Sequence, residues 1–439
     1  MASSIITATD LHDPSSPAYK KARRQHIRTT KNRSQDVDAA WTPFRAAEKK
    51  YKARFPPPDL SSVLDLTAPA NELPSSCIDQ CRRISVPIVS RNSNGPAASP
   101  AADIFIVPAI PGLVVLPSFV SPEDQRQLIR WSLRDHARYP NETNLDAHYI
   151  LPPEGIWNAH LKTRSGTMQT PIPTKASSNG PPTSVSSGPR QLVSNHAAST
   201  DTFDAIRTLP KPPPEPSPSV SECYPSELVP KLRWANIGWS YHWGTKQYDF
   251  SKGRGHVDAH LQNLCKRVVG AVPWETVFGE EDIEGWGNDD WRTWQETYEP
   301  DAGIVNFYQT KDTLMAHVDR SEVCATSPLV SISLGNAAIF LIGGLTRDTE
   351  PVPILLRSGD VVIMSGPACR RAYHGVPRIL ESTLPKHLSQ PPSDCDIADW
   401  EPYRNYIESA RININVRQVF PKGFAPGTEN ATHPLGKAA

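Results

Sequence analysis

The sequence predicts a mainly β fold with flanking helices, a sandwich or jelly roll of the α+β class. Three observations carry this. Short runs of strand length follow one another from 303 to 365 ("GIVNFYQ", "LVSISLG", "AAIFLIGG", "PILLRSGDVVIMSG"), and a last one, "ARININVRQVF", lies at 410–420. Gly, Asp and Asn turns separate them, without intervening helices. Helical spacing falls outside that block, and proline, 45 of 439 residues, gathers in stretches that cannot pack.

Residues 1–104 read as an N-terminal extension, disordered in part. Within it, 18–34 ("AYKKARRQHIRTTKNRS") is a basic run, either a solvated tail or an arm for nuclear targeting or phosphate binding. "TPFRAAEKKYKARFPPPDL" reads as an amphipathic helix stopped by three prolines. Residues 91–103 read as a linker, and order begins with "PGLVVLPSFVSPEDQRQLIRWSLRD". There Leu113 to Leu116 form a buried strand, Ser121 caps a helix, and Pro122 takes its first position. The ordered domain opens over 105–164, an insertion rich in Ser, Pro and Thr covers 165–230, and 231–421 completes the domain before a tail at 422–439. The insertion is expected to be disordered. Loop-closure entropy grows only logarithmically with length, so one fold can continue across it. "KLRWANIGWSYHW" alternates like a strand, and "VDAHLQNLCKRVVGAV" has helical spacing.

Lys+Arg and Asp+Glu are 46 each, so no global field draws the chain to nucleic acid or membrane. Any basic surface must be local. Seven scattered cysteines without a CxxC point to reduced thiols in an intracellular protein, not a disulfide scaffold or zinc knuckle. No apolar run reaches the roughly 18 residues of a membrane span, and "MASSIITATDLHDPSSP" lacks the pattern of a secretory signal. Nucleus and cytoplasm are the expected compartments, with the mitochondrion open, and a monomer is the expected state.

"HVD" occurs twice. His256-Val257-Asp258 opens a helical segment, where an acid is favoured by the helix dipole and His260 shares a face with His256. It reads as a helix start. His317-Val318-Asp319 follows "VNFYQTKDTLMA" on an extended segment, where alternate side chains point the same way. Two histidines and a carboxylate on one side of an open site are the ligand set of non-haem Fe(II) oxygenases. The third ligand must come from another strand, and His374 in "ACRRAYHGVPRIL" is the candidate, with a satisfied core histidine as its alternative. An open-sided iron needs a co-substrate, and a dicarboxylate needs a buried arginine fork. "ARININVRQVF" sets Arg411, Asn413, Asn415 and Arg417 on one face and Ile412, Ile414 and Val416 on the other. With the apolar face against a second sheet, the polar face would line a cavity or water.

Asn306 and Tyr308, then H-x-D, then a later His, then R-x-N-x-x-x-R resemble the AlkB family of Fe(II)/2-oxoglutarate dioxygenases. More narrowly, "HVDRSE", "IMSG", "KLRW" and "NLDAHY" resemble its eukaryotic homologue-one branch. The resemblance covers about 105–150 and 231–421. It implies a double-stranded β-helix core, with His317, Asp319 and His374 as Fe(II) ligands and O2 and 2-oxoglutarate as co-substrates. It implies contacts to 2-oxoglutarate from Asn306 and Tyr308, Arg411 on the distal carboxylate, and Asn413 and Arg417 at the other end. Trp239 and Tyr248 fall in the family's nucleotide-recognition lid, and Arg347 matches a basic position on the substrate side. The activity implied is oxidative demethylation of N-methylated nucleobases in DNA or tRNA, releasing formaldehyde, succinate and CO2. One departure is Ser321, where bacterial members carry an acid; Glu322 is adjacent but points elsewhere on a strand. A dioxygenase of methylated protein such as histone, and an RNA- or chromatin-binding adaptor with a spent metal site, are the competing readings.

Overall fold

A computed structural model describes residues 11–31, 40–67, 81–87, 101–167, 170–175, 197–279, 289–390 and 397–424. Its strands are β1 (Arg82–Pro87), β2 (Ala101–Ile106), β3 (Leu113–Leu116), β4 (Trp234–His242), β5 (Gln247–Arg254), β6 (Ala302–Gln309), β7 (Leu314–His317), β8 (Leu329–Gly335), β9 (Ala338–Ile342), β10 (Val352–Leu356), β11 (Val361–Met364), β12 (His374–Ile379) and β13 (Ala410–Arg417). They make two antiparallel sheets: β1-β2-β3-β11-β8-β13-β6-β4-β5 and β10-β9-β12-β7. Phe340, Ile342, Ile354 and Leu356 of the smaller sheet pack on Leu329, Val362 and Met364 of the larger, which closes the double-stranded β-helix. Part of the gap between the sheets stays open as a cavity of about 420 Å³.

The larger sheet is covered on its outer side by helices. Ile412, Ile414 and Val416 are fully buried there, with Leu128 and Ile129 of the helix Pro122–Arg130 and Leu261, Leu264 and Val268 of the helix Ala259–Gly270. The apolar face of β13 therefore meets helices and not a second sheet. Its polar face looks into the space between the sheets, so the alternation of this strand is that of a wall between a helical layer and a cavity. Ser121 caps its helix as expected, with Oγ accepting from the Asp124 N–H at 3.0 Å.

Two helices precede the sheets, α1 (Pro17–Thr30) and α2 (Pro43–Lys52). Residues 18–30 of the basic run lie in α1, where no side chain is buried, and 32–34 lie outside the described residues. α2 is amphipathic, burying Phe44, Glu48 and Tyr51. Order begins earlier than residue 111, because β1 and β2 pair ahead of it, and residues 101–103 of the expected linker belong to β2. "RRISVP" and "AADIFI" are too short and too mixed to stand out from a polar extension. Residues 91–100 of that linker lie outside the described residues.

The insertion needs a larger correction. Residues 176–196 lie outside the described residues, but 197–230 pack on the domain. Phe203, on the helix Phe203–Thr208, is 5% exposed, with its ring 5.2 Å from Phe250 and 5.5 Å from Phe420. Cys223 and Leu228 are also buried. Composition averaged over the whole segment hides these few anchors among prolines. Phe203→Ala is expected to cost about 3–5 kcal/mol in denaturant unfolding and to expose 197–230 to limited proteolysis. Cys223, Cys265, Cys324 and Cys369 are free, and no described helix is long and apolar enough to cross a membrane.

Candidate active site

β7 ends on His317 and β12 begins on His374, and the two residues are register partners. Their ring centroids are 4.4 Å apart. Asp319 lies just past the end of β7, with Oδ1 3.7 Å from His317 Nε2. One donor atom from each of the three residues lies within 4.8 Å of the others. Each imidazole is oriented by the carbonyl two residues before it: His317 Nδ1 meets the Met315 carbonyl at 3.0 Å, and His374 Nδ1 meets the Ala372 carbonyl at 3.1 Å. A carbonyl only accepts, so Nδ1 carries the proton in both rings and Nε2 keeps a lone pair for an ion.

The electrostatics suit the same use. Burial, helped by His317, pulls His374 down to about 4, so it is neutral at pH 7. Burial would raise the Asp319 carboxyl, but Arg417 and the two histidines override it and hold it well below the usual range. Two imidazoles that present Nε2 and one carboxylate beside a cavity fit Fe(II) with open positions. Among the described residues this is the one such cluster of three donors. The first "HVD" does other work. Asp258 caps the helix Ala259–Gly270, accepting from the Leu261 N–H at 3.0 Å, and His260 pairs with Asp124 at 3.2 Å.

β13 forms the opposite wall. Arg411 is paired in register with Tyr308 and Asn413 with Asn306, and all four line the cavity with Asn415 and Arg417. Arg411 is 1% exposed, and the acceptors it reaches are neutral: Ser333 Oγ at 2.7 Å and the Asn336 carbonyl at 3.0 Å. Its Nε–H has no partner among the described residues. Burial lowers it to about 10, which leaves it cationic at pH 7. A buried guanidinium with neutral neighbours and an idle N–H fits a carboxylate of a small dicarboxylate. Burial pushes the Tyr308 hydroxyl up to about 12, so beside Arg411 it remains a donor. The Asn413 amide is engaged in the wall itself, donating to Ser331 Oγ at 2.9 Å and the Ile332 carbonyl at 3.0 Å.

Arg417 sits at the metal end. Its Nη1 donates to Asp319 Oδ2 at 3.2 Å and to Glu322 Oε1 at 2.7 Å. Glu322 also faces Arg370 Nη2 at 3.5 Å and accepts from the Tyr248 hydroxyl at 3.2 Å. The sequence reading overlooked this buried network. Glu322 turns into it, and Ser321 Oγ donates to the Lys246 carbonyl at 2.9 Å.

The three residues expected at the substrate are placed elsewhere. Trp239 lies among aromatic rings, 5.4 Å from Phe250 and 5.8 Å from Phe420, and off the cavity wall. Tyr248 is 1% exposed and spends its hydroxyl on Glu322. Arg347 is on the surface, donating to the Ala316 carbonyl at 3.0 Å and lying 5.1 Å over the Tyr373 ring. Tyr241, Trp243 and Lys246 of the β4–β5 hairpin line the cavity instead. Simple alternation groups Trp239 with Tyr241 and Trp243, but the register shifts between Trp239 and Ser240, which re-aims the strand there. Trp243 is 44% exposed and stacks on Trp234 at 5.1 Å. The spacing of aromatics in "WSYHW" was a signal for these two.

Residues 191–417 match the model of the 2OG-Fe(II) oxygenase superfamily. The DNA N(6)-methyladenine demethylase ALKBH1A of Arabidopsis thaliana is 30% identical over 393 residues, 87% of this chain and 97% of that protein. The tRNA demethylase abh1 of Schizosaccharomyces pombe is 30% identical over 383 residues, 86% of this chain and 96% of that protein. The N6-methyladenosine RNA demethylase ALKB1 of Pyricularia oryzae is 28% identical over 336 residues, 74% of this chain and 78% of that protein.

Proposed function

The chain belongs to the AlkB-like Fe(II)/2-oxoglutarate dioxygenases, and from that premise we propose that it demethylates N-methylated nucleobases in DNA or RNA by oxidation, releasing formaldehyde, succinate and CO2. The observation that carries this reading is the facing of the His317–Asp319–His374 cluster by Arg411 across one cavity. His317, Asp319 and His374 would hold Fe(II). Arg411 and Tyr308 would take one carboxylate of 2-oxoglutarate, and Asn306, Asn413 and Arg417 would shape and charge the rest of its site. When bound, iron, 2-oxoglutarate and O2 together supply the oxidising power that hydroxylates an N-methyl group.

The chain's own residues bind, orient and exclude water. Arg417 keeps Asp319 ionised and aimed, at 3.2 Å. Leu314, Phe340 and Val376 give the cavity an apolar wall that keeps bulk water from the reacting groups. Tyr241 and Trp243 offer ring faces at the mouth for an unpaired base, and Lys246 offers a charge for its backbone.

The named relatives act on nucleic acid of more than one kind, which supports the substrate class. Trp243→Ala is expected to weaken binding of a methylated single-stranded oligonucleotide by about 1–3 kcal/mol while leaving the KM for 2-oxoglutarate unchanged. Fluorescence anisotropy over a salt series checks it. Affinity that falls steeply with salt supports phosphate contact, and affinity indifferent to salt and to Trp243 would turn the reading toward a protein substrate.

A further inference from the structure

Helix α2 packs across one face of the smaller sheet, with Phe44 and Tyr51 clustered with Ala316, Ile339 and Leu341, and reaches its edge strand β7 through Glu48. Among the described residues, β7 is the last strand of that sheet and pairs on one side only, with β12. The outward backbone groups of such an edge need partners from elsewhere. At Ala316, the residue before His317, both are taken by side chains. Its N–H donates to Glu48 Oε1 at 2.6 Å, and its carbonyl accepts from Arg347 Nη2 at 3.0 Å. The second oxygen of Glu48 accepts from Arg45 Nη1 at 3.1 Å. The Arg347 carbonyl accepts from the Phe44 N–H at 3.1 Å, which closes a ring from α2 through Ala316 and back to α2.

Glu48 is 4% exposed, beside an apolar cluster of Phe44, Tyr51, Ala316, Ile339 and Leu341. A leucine would pack there without the desolvation that a carboxylate suffers. What the carboxylate adds is a fixed acceptor for one strand amide. Of the two histidines, His317 is the less held by the sheet, since His374 pairs with both His317 and Ile342 while His317 pairs with His374. Its side chain is 36% exposed, and the β7–β12 register is irregular between His374 and Val376.

We propose that Glu48 and Arg347 are positioning residues of the metal centre: by clamping the Ala316 backbone they set where His317 presents Nε2. This rests on the reading of His317 as an iron ligand. It gives the N-terminal helix a part in metal binding although it supplies no ligand, and it gives Arg347 a task other than meeting substrate.

The test titrates the full-length protein with Co(II), a redox-quiet probe read by its visible spectrum, alongside thermal melting of the metal-free protein. Glu48→Leu and Arg347→Met are expected to weaken Co(II) binding about tenfold or more, as loss of outer-sphere support does elsewhere. Glu48→Gln keeps an oxygen for the Ala316 N–H and is expected to bind as the wild type does. Variants that melt earlier yet bind Co(II) as tightly as the wild type overturn the proposal, since the clamp would then be structural only. Should Glu48→Leu fail to fold, Arg347→Met, on an exposed side chain, carries the test by itself. A wild-type protein that binds no Co(II) overturns the iron reading and this proposal with it; binding by the wild type that both variants match overturns this proposal alone.

Discussion

Replacing His317 with Ala is expected to abolish both Co(II) binding and 2-oxoglutarate turnover, whereas His256→Ala leaves both at the wild-type level. The two residues sit in the same three-letter string, so the pair is a matched control. His317 stands in register with His374, and Asp319 completes a donor set within 4.8 Å. Losing one imidazole leaves a two-ligand site with no facial geometry for the ion. The Asp258 side chain is spent on the Leu261 N–H, and His260 Nε2 lies 3.2 Å from Asp124 Oδ1, so among the described residues the first string brings no three-donor cluster together. Isothermal titration with Co(II) and succinate measurement check the pair. Loss of binding in His256→Ala with retention in His317→Ala would reverse the assignment.

Arg411→Met is expected to raise the KM for 2-oxoglutarate by about two to three orders of magnitude, the scale of truncating one partner of a buried charge pair. It is not expected to destabilise the ligand-free protein to match. In that state Arg411 is a desolvated cation among neutral oxygens, with its Nε–H unused, and an apolar side chain of similar length is tolerated well at such a position. The signature is therefore a split. The melting temperature without ligand holds or rises, while the upward shift that 2-oxoglutarate gives the wild type disappears. Equal loss of stability with and without ligand would mean that Arg411 serves the core and not the co-substrate.

The polar walls of the candidate site were legible in the sequence because strands write their geometry at a period of two. R-x-N-x-x-x-R places its side chains on one face of β13, and local spacing suffices to read that; H-x-D brings His317 and Asp319 together although Asp319 lies past the end of β7. His374 needed the resemblance as well, since register across strands is not written in either strand alone. The cavity-lining residues of the β4–β5 hairpin were misread because a register shift at Trp239–Ser240 breaks the alternation. Tyr241 and Trp243 reach the cavity while Trp239 turns to Phe250 and Phe420. Glu322 and Arg370 escaped for another reason. A buried ion network joins residues distant in sequence, and nothing local in "RSEVC" or "ACRRAY" announces it. The packed part of the insertion escaped because a few anchors such as Phe203 decide order, and composition counts the prolines around them.

One cavity is expected to couple 2-oxoglutarate turnover to removal of a methyl group from a nucleic-acid base. The direct measurement is formaldehyde and succinate, quantified together, from the purified protein with Fe(II), 2-oxoglutarate, O2 and either a methylated oligonucleotide, a methylated tRNA or a methylated histone peptide. Equimolar formaldehyde and succinate are expected with at least one nucleic acid, with background from the peptide and from His317→Ala throughout. Equimolar release driven by the histone peptide and by neither nucleic acid would contradict that expectation.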